Sequence, residues 1–111
     1  MLAPDEVKLD FAKLDGLVPA VVQDHETRDV LMVGFVNEAA WQRCRESGLV
    51  TFWSRTRARL WTKGETSGDV LRIKRVLVDC DADTLLFLVD PAGPTCHTGE
   101  RSCFFRDVRL A

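Results

Sequence analysis

The sequence has no dominant charge, no long apolar run and no internal repeat, and each lack removes a class of protein. Fifteen Lys and Arg stand against seventeen Asp and Glu, a net charge of −2, which excludes a uniformly cationic binder of nucleic acid or membrane. No apolar stretch approaches the ~18 residues that a membrane-spanning helix needs. The N-terminal run Met-Leu-Ala-Pro-Asp-Glu lacks signal-peptide character, so the expected location is cytoplasmic. Linkers and low-complexity segments are absent, and 111 residues accommodate one domain, 1–111. There are two histidines and four cysteines, with no Cys-x-x-Cys pair, so the spacing is not that of a zinc finger. Without a secretion signal the thiols are expected to be reduced. What is present is an ordinary globular balance, 46% hydrophobic and 29% charged, which argues against disorder. A domain this short buries only ~60–70% of its unfolded surface, so a dimer interface or a bound metal would add useful stabilisation.

The near-neutral total conceals an uneven distribution. Residues 1–53 carry five basic and nine acidic side chains, residues 54–75 seven and two, and residues 76–111 three and six. A basic block (Arg55, Arg57, Arg59, Lys63, Arg72, Lys74, Arg75) therefore precedes an acidic tail that bears three of the four cysteines.

Apolar runs at Pro19–Asp24 and Val30–Phe35 flank the polar stretch 25–29, which predicts a hairpin. Asn37 is a suitable N-cap, Glu38 suits the positive helix start and Gly48 is a C-terminal stop; with Ala40, Trp41 and Cys44 at helical spacing, they predict a helix over 38–47. Strands are expected at Leu49–Ser54, Ala58–Thr62, Val70–Asp79, Thr84–Val89 and Cys103–Leu110, with turns at 63–69 and 91–94. In the third of these, Leu71, Ile73 and Leu77 share one parity and Arg72 and Lys74 the other. The run Thr84–Val89 is apolar throughout and reads as a strand buried on both faces. Strands do not alternate with helices, so the expected fold is α+β, a compact roll of mostly antiparallel strands with one main helix.

Three groups of residues could carry chemistry. If Asp79-Cys80-Asp81-Ala82-Asp83 is extended, Asp79, Asp81 and Asp83 share a face and Cys80 points away. Three such carboxylates repel one another, and a hard cation such as Mg²⁺ removes the penalty. The plain alternative is a strand end running into an Asp-rich turn. Cys44 lies on the apolar helix stripe and reads as a core thiol, whereas Cys80, Cys96 and Cys103 sit among small or polar residues. Three thiolates would leave one zinc position open for an activated water, and His97, next to Cys96, could move protons near it, the plain alternative being a solvated turn histidine. His25, in the expected hairpin turn, reads as merely solvated. In the basic block, Lys63–Gly68 could cradle an anion with backbone N–H groups, and Arg55, Arg57 and Arg59 alternate along one face if extended.

Taken together the motifs become specific. Phe52-Trp53-Ser54-Arg55-Thr56-Arg57 leads to Leu60-Trp61-Thr62-Lys63-Gly64-Glu65-Thr66-Ser67-Gly68. Asp79-Cys80-Asp81-Ala82-Asp83 follows, and then Cys96-His97-Thr98-Gly99-Glu100-Arg101-Ser102-Cys103-Phe104. In this order and spacing they closely resemble the phosphoribosyl-AMP cyclohydrolase family of histidine biosynthesis. The resemblance runs from about Leu9 to Phe105, with small departures at Thr62, where the family often has histidine, and at Thr95, where alanine is common.

The resemblance implies an intertwined homodimer with active sites at its interface. It assigns Cys80, Cys96 and Cys103 as zinc ligands, one Zn²⁺ per subunit, with Cys80 from one chain and the other two from its partner. It assigns Asp79, Asp81 and Asp83 as Mg²⁺ ligands and implies a small-molecule nucleotide substrate, with no nucleic-acid or membrane partner. The implied reaction is hydrolytic opening of the adenine ring of N1-(5-phosphoribosyl)-AMP between N1 and C6, by attack of zinc-activated water. His97 is the candidate proton carrier; Ser54, Arg55, Arg57, Lys63, Gly64, Glu65, Ser67 and Gly68 are candidate substrate contacts. Many relatives carry a fused pyrophosphohydrolase domain, and a chain ending at Ala111 is expected to be the monofunctional form. Two rival readings are a zinc-stabilised RNA-binding module using Arg55, Arg57, Arg59 and nearby aromatics, and a zinc nucleobase deaminase. The second lacks its His-x-Glu and Pro-Cys-x-x-Cys motifs.

Overall fold

The computed structural model describes residues 1–3 and 6–111; Pro4 and Asp5, within the N-terminal run read above for signal character, lie outside the described residues. The elements in chain order are β1 (Val18–Asp24), β2 (Val30–Val36), α1 (Glu38–Ser47), β3 (Thr51–Ser54), β4 (Arg59–Thr62), β5 (Leu71–Val78) and β6 (Leu85–Pro91). Four strands form a sheet in the order β2-β1-β6-β5, and β3 pairs with β4 in a separate hairpin. All pairings are antiparallel except β1 with β6, which run parallel from Ala20↔Leu85 to Asp24↔Val89. One helix on mostly antiparallel strands is thus the observed α+β architecture. Among the described residues, no helix is long and apolar enough to cross a membrane.

The helix forms where its capping residues put it. Asn37 accepts a hydrogen bond from the Ala40 N–H at 2.8 Å, a cap that contributes about 1 kcal/mol. Gly48 ends the helix at φ 73°, its N–H donating to the Cys44 carbonyl. Ala40, Trp41 and Cys44 are the buried residues, packed with Val18, Ala20, Val22, Leu31, Phe52 and Phe87 in the core. Cys44 is a core thiol as expected. Its Sγ lies between the Thr51 carbonyl and N–H at 3.3 and 3.2 Å, and burial pushes the thiol up to about 11. Gly34 in β2 lies directly under the Phe52 ring, where an added Cβ would come within 2.5 Å. That contact presses the β3–β4 hairpin onto the main sheet.

Two sequence expectations fail, each for a local reason. β5 pairs with β6 through a bulge between Ile73 and Arg75, which switches the inward parity. Leu71 and Ile73 face inward before it, Val76 and Val78 after it, and Leu77 is 37% exposed. The strand expected over Cys103–Leu110 is absent. Residues 104–111 have no regular structure, and Phe104, Phe105, Val108 and Leu110 are exposed. Apolar spacing alone does not make a strand; an edge must offer it hydrogen bonds, and the segment meets β2 at its start, where the Cys103 N–H donates to the Leu31 carbonyl at 2.8 Å.

Candidate functional site

The candidate residues divide between two ends of the main sheet. Asp79–Asp83 is the β5–β6 connection, beside the Val78↔Leu85 end of that pair. Cys96 and Cys103 follow the far end of β6, where Cys103 is tied to Leu31 near the start of β2. A strand of the length of β6 separates the ends by roughly 20 Å.

At the first end the Asp stretch is a tight turn, not the extended segment whose alternation would align its carboxylates. The Ala82 N–H bonds the Asp79 carbonyl at 3.2 Å and Ala82 has φ 60°. The turn nevertheless gathers oxygens of Asp79, Asp81 and Asp83 within 4.8 Å of one another. Asp79 Oδ1 accepts from the N–H groups of Asp83 and Thr84. The Lys13 ammonium sits across the other two carboxylates, 2.9 Å from Asp81 and 3.0 Å from Asp83, and those bonds raise its pKa. Three carboxylates that recruit a cation from within the chain fit the demands of a hard metal such as Mg²⁺. Lys13 carried no sequence signal beyond its charge. Cys80, within this turn, is exposed.

At the second end, Cys96 is buried and Cys103 exposed, both as free thiols, with their sulfurs in mutual hydrogen-bond reach. Thr98 Oγ1 donates to Cys96 Sγ at 3.1 Å. This bond, the Thr98 N–H, the Cys103 thiol and the nearby Lys63 charge together hold the Cys96 thiol below its ordinary value. Burial and the neighbouring Cys96 raise Cys103. The pair therefore shares its charge unequally, with Cys96 the better thiolate. Two soft donors side by side, unoxidised and beside an ammonium, suit zinc. His97 Nδ1 lies 4.0 Å from Cys96 Sγ, and the residue is exposed. Thr95 Oγ1, 1% exposed, has no hydrogen-bond partner among the described residues.

The basic block is less uniform than its sequence suggests. Arg55 and Arg57 belong to the β3–β4 turn rather than an extended face, because Ala58 takes φ 51° and Ser54 Oγ accepts from the Arg57 N–H. The Arg55 guanidinium stacks 4.1 Å from the Phe35 ring centroid. Arg59 pairs with Glu65 at 3.3 Å, an exposed pair worth at most ~1 kcal/mol. Lys63 Nζ lies 5.4 Å from the Trp61 ring centroid. In the Lys63–Gly68 loop the N–H groups of Lys63, Glu65 and Gly68 bond to Val50, Thr62 and Gly64 carbonyls. An anion cradle there would have only the remaining amides to offer. Gly64, at φ 81°, packs against the Asp69 and Val70 backbone and leaves no space for a Cβ; Ser67 Oγ accepts from the Asp69 N–H.

The sequence pattern of the phosphoribosyl-AMP cyclohydrolase family matches residues 32–105. A phosphoribosyl-AMP cyclohydrolase of Desulforapulum autotrophicum is 54% identical over 103 residues, 92% of this chain and 82% of that protein. Histidine biosynthesis bifunctional proteins HisIE of Bacteroides thetaiotaomicron and Photobacterium profundum are 57% and 56% identical over 98 and 100 residues. These cover 88% and 90% of this chain but 48% of each relative, so the chain spans about half the length of the bifunctional relatives it matches.

Proposed function

The chain belongs to the phosphoribosyl-AMP cyclohydrolase family, and from that premise we propose that it opens the adenine ring of N1-(5-phosphoribosyl)-AMP by hydrolysis of the N1–C6 bond, in histidine biosynthesis. The observation that carries this reading is the reduced thiol pair Cys96–Cys103 beside Lys63 and His97. A third thiolate would complete a zinc site, and Cys80 is the candidate. It stands at the other end of its own sheet, so the reading takes Cys80 from a partner subunit, one Zn²⁺ per subunit of a homodimer. Exposed Leu77, Phe104 and Phe105 support a chain that is covered by another. Asp79, Asp81 and Asp83 would hold Mg²⁺. The cytoplasm, where thiols stay reduced, is the proposed setting.

Zinc held by thiolates lowers the pKa of a bound water towards ~7 and so supplies a nucleophile at neutral pH. The protein's own groups do the rest. N1 carries the second phosphoribosyl group, which leaves C6 electron-poor and open to addition of water. His97, exposed beside Cys96, takes a proton from the adding water and returns it to the N1-side nitrogen as the C6–N1 bond breaks. Lys63 and Arg57 offer positive charge to the phosphates. Ser54, Gly64, Glu65, Ser67 and Gly68 would shape the loops that meet the substrate, with Arg55, stacked on Phe35, a further candidate contact.

The RNA-binding alternative has less support, since two of the three arginines it would use are engaged, Arg55 stacked on Phe35 and Arg59 paired with Glu65. Product analysis separates the classes. Incubation with N1-(5-phosphoribosyl)-AMP is expected to give a product heavier by one water with no ammonia released, and chelation of zinc is expected to stop it. Ammonia release would indicate a deaminase, and undiminished turnover by metal-free protein would refute the zinc reading.

A further inference from the structure

Between the two cysteines stands Arg101, whose guanidinium reaches across the sheet end to the β1–β2 hairpin. One nitrogen donates to Asp24 Oδ2 at 2.6 Å and to Thr27 Oγ1 at 3.1 Å, and the other to Asp29 Oδ2 at 2.6 Å. Asp24 is no ordinary surface partner. Its side chain is 8% exposed and its second oxygen accepts from the Glu26 and Thr27 N–H groups. Burial pushes this carboxyl up, but those amides and the Arg101 charge outweigh it and keep it ionised.

The segment that Arg101 ties down is held by polar contacts rather than by apolar packing. Residues 97–101 and 103 are exposed and lack helix or strand, so apolar burial contributes little there. Instead the loop is closed on itself, Thr95 N–H to Arg101 carbonyl at 3.1 Å and Cys96 N–H to Glu100 carbonyl at 3.1 Å. It is then fixed to β2 through Ser102 Oγ to the Val30 carbonyl at 2.6 Å and the Cys103 N–H to Leu31. Among the described residues, Arg101 is the side chain that links this loop to charged groups more than 70 positions away in sequence.

We infer that Arg101, forked between Asp24 and Asp29, is a positioning residue for the Cys96–Cys103 thiol pair and sets the protein's affinity for its metal. The inference rests on the zinc reading above. The rival role for Arg101, a direct phosphate contact, fits less well. Both terminal nitrogens are already on carboxylates, and the cleft beside it, about 420 Å³, is lined by Asp24, Glu26 and Asp90 as well. A polyanion would meet three acids there. The fork suits arginine better than lysine, since the planar guanidinium presents a separate nitrogen to each carboxylate, whereas an ammonium must meet both partners through one.

The test is Zn²⁺ affinity, measured by competition with a chromophoric chelator, with the thiolate charge-transfer absorption of the Co²⁺-loaded protein as a second reading. Arg101→Met is expected to bind Zn²⁺ ~10–100-fold more weakly, as loss of an outer-shell partner typically does, and to weaken the Co²⁺ band. Arg101→Lys is expected to restore little of it. Wild-type affinity in Arg101→Met would overturn the inference, as would full recovery by lysine. A merely stabilising ion pair would lower the melting temperature and leave the affinity of the folded protein unchanged. Should Arg101→Met fail to fold, Asp29→Asn decides, because it removes only the exposed arm: several-fold weaker binding supports the inference and unchanged binding refutes it. If wild-type protein takes up no Zn²⁺, the zinc reading falls, and amide hydrogen exchange at Cys96 and Cys103 then judges the clamp. Faster exchange in Arg101→Met supports it and unchanged exchange refutes it.

Discussion

Cys103→Ala is expected to lose bound zinc and ring-opening activity together while the fold survives. Cys103 is exposed, and its anchor to Leu31 is made by its backbone N–H, which alanine keeps. No core contact is lost, so the melting temperature of the metal-free protein is expected to stay near wild type. The sulfur, by contrast, is half of the thiol pair. Its removal leaves Cys96 alone on this rim, and two remaining ligands do not make a three-ligand catalytic zinc site. The loss of turnover is expected to exceed the ~10–100-fold typical of an outer-shell change. Metal analysis beside the activity assay checks the coupling. Full activity from zinc-free Cys103→Ala would remove zinc from the mechanism.

The second large effect is expected at His97. His97→Ala is predicted to lower kcat by ~10²–10⁴-fold, the usual contribution of a positioned proton carrier, with zinc content preserved. The separation of the two quantities is what matters. The imidazole is 4.0 Å from the Cys96 sulfur and exposed, so it can approach substrate without being needed to hold the thiols. If zinc is lost with the imidazole, His97 acts as a ligand instead; if turnover is unchanged, it has no part in proton transfer.

Much of the scaffold was legible because local rules govern it. Asn37, Glu38 and Gly48 bound a helix whose buried residues are those at helical spacing, and the 25–29 stretch turns the β1–β2 hairpin. The apolar run Leu85–Val89 forms most of β6, a strand inside the sheet between β1 and β5. What was not legible depended on pairing between distant residues. The bulge between Ile73 and Arg75 moved Leu77 outward, and no single-strand pattern announces a bulge. The parallel β1–β6 pairing joins segments over sixty positions apart. In the candidate site, residue identities were readable and their arrangement was not. The aspartates cluster through a turn, not by strand alternation, and Arg55 and Arg57 turn a corner rather than line a face. Lys13 on Asp81 and Asp83 and Arg101 on Asp24 and Asp29 are long-range ion pairs, which charge counting cannot foresee.

The division of the cysteines between opposite ends of one sheet leads to a single decisive measurement. Cys80→Ala and Cys103→Ala proteins, each inactive alone, are to be mixed under conditions that exchange subunits, with hybrid formation followed by native mass spectrometry. A site shared across a two-fold dimer gives each hybrid one site with every sulfur intact and one site lacking both. Random exchange then restores about a quarter of wild-type activity, with Zn²⁺ returning in proportion. Hybrid dimers that form and remain inactive would contradict a metal centre built from two chains.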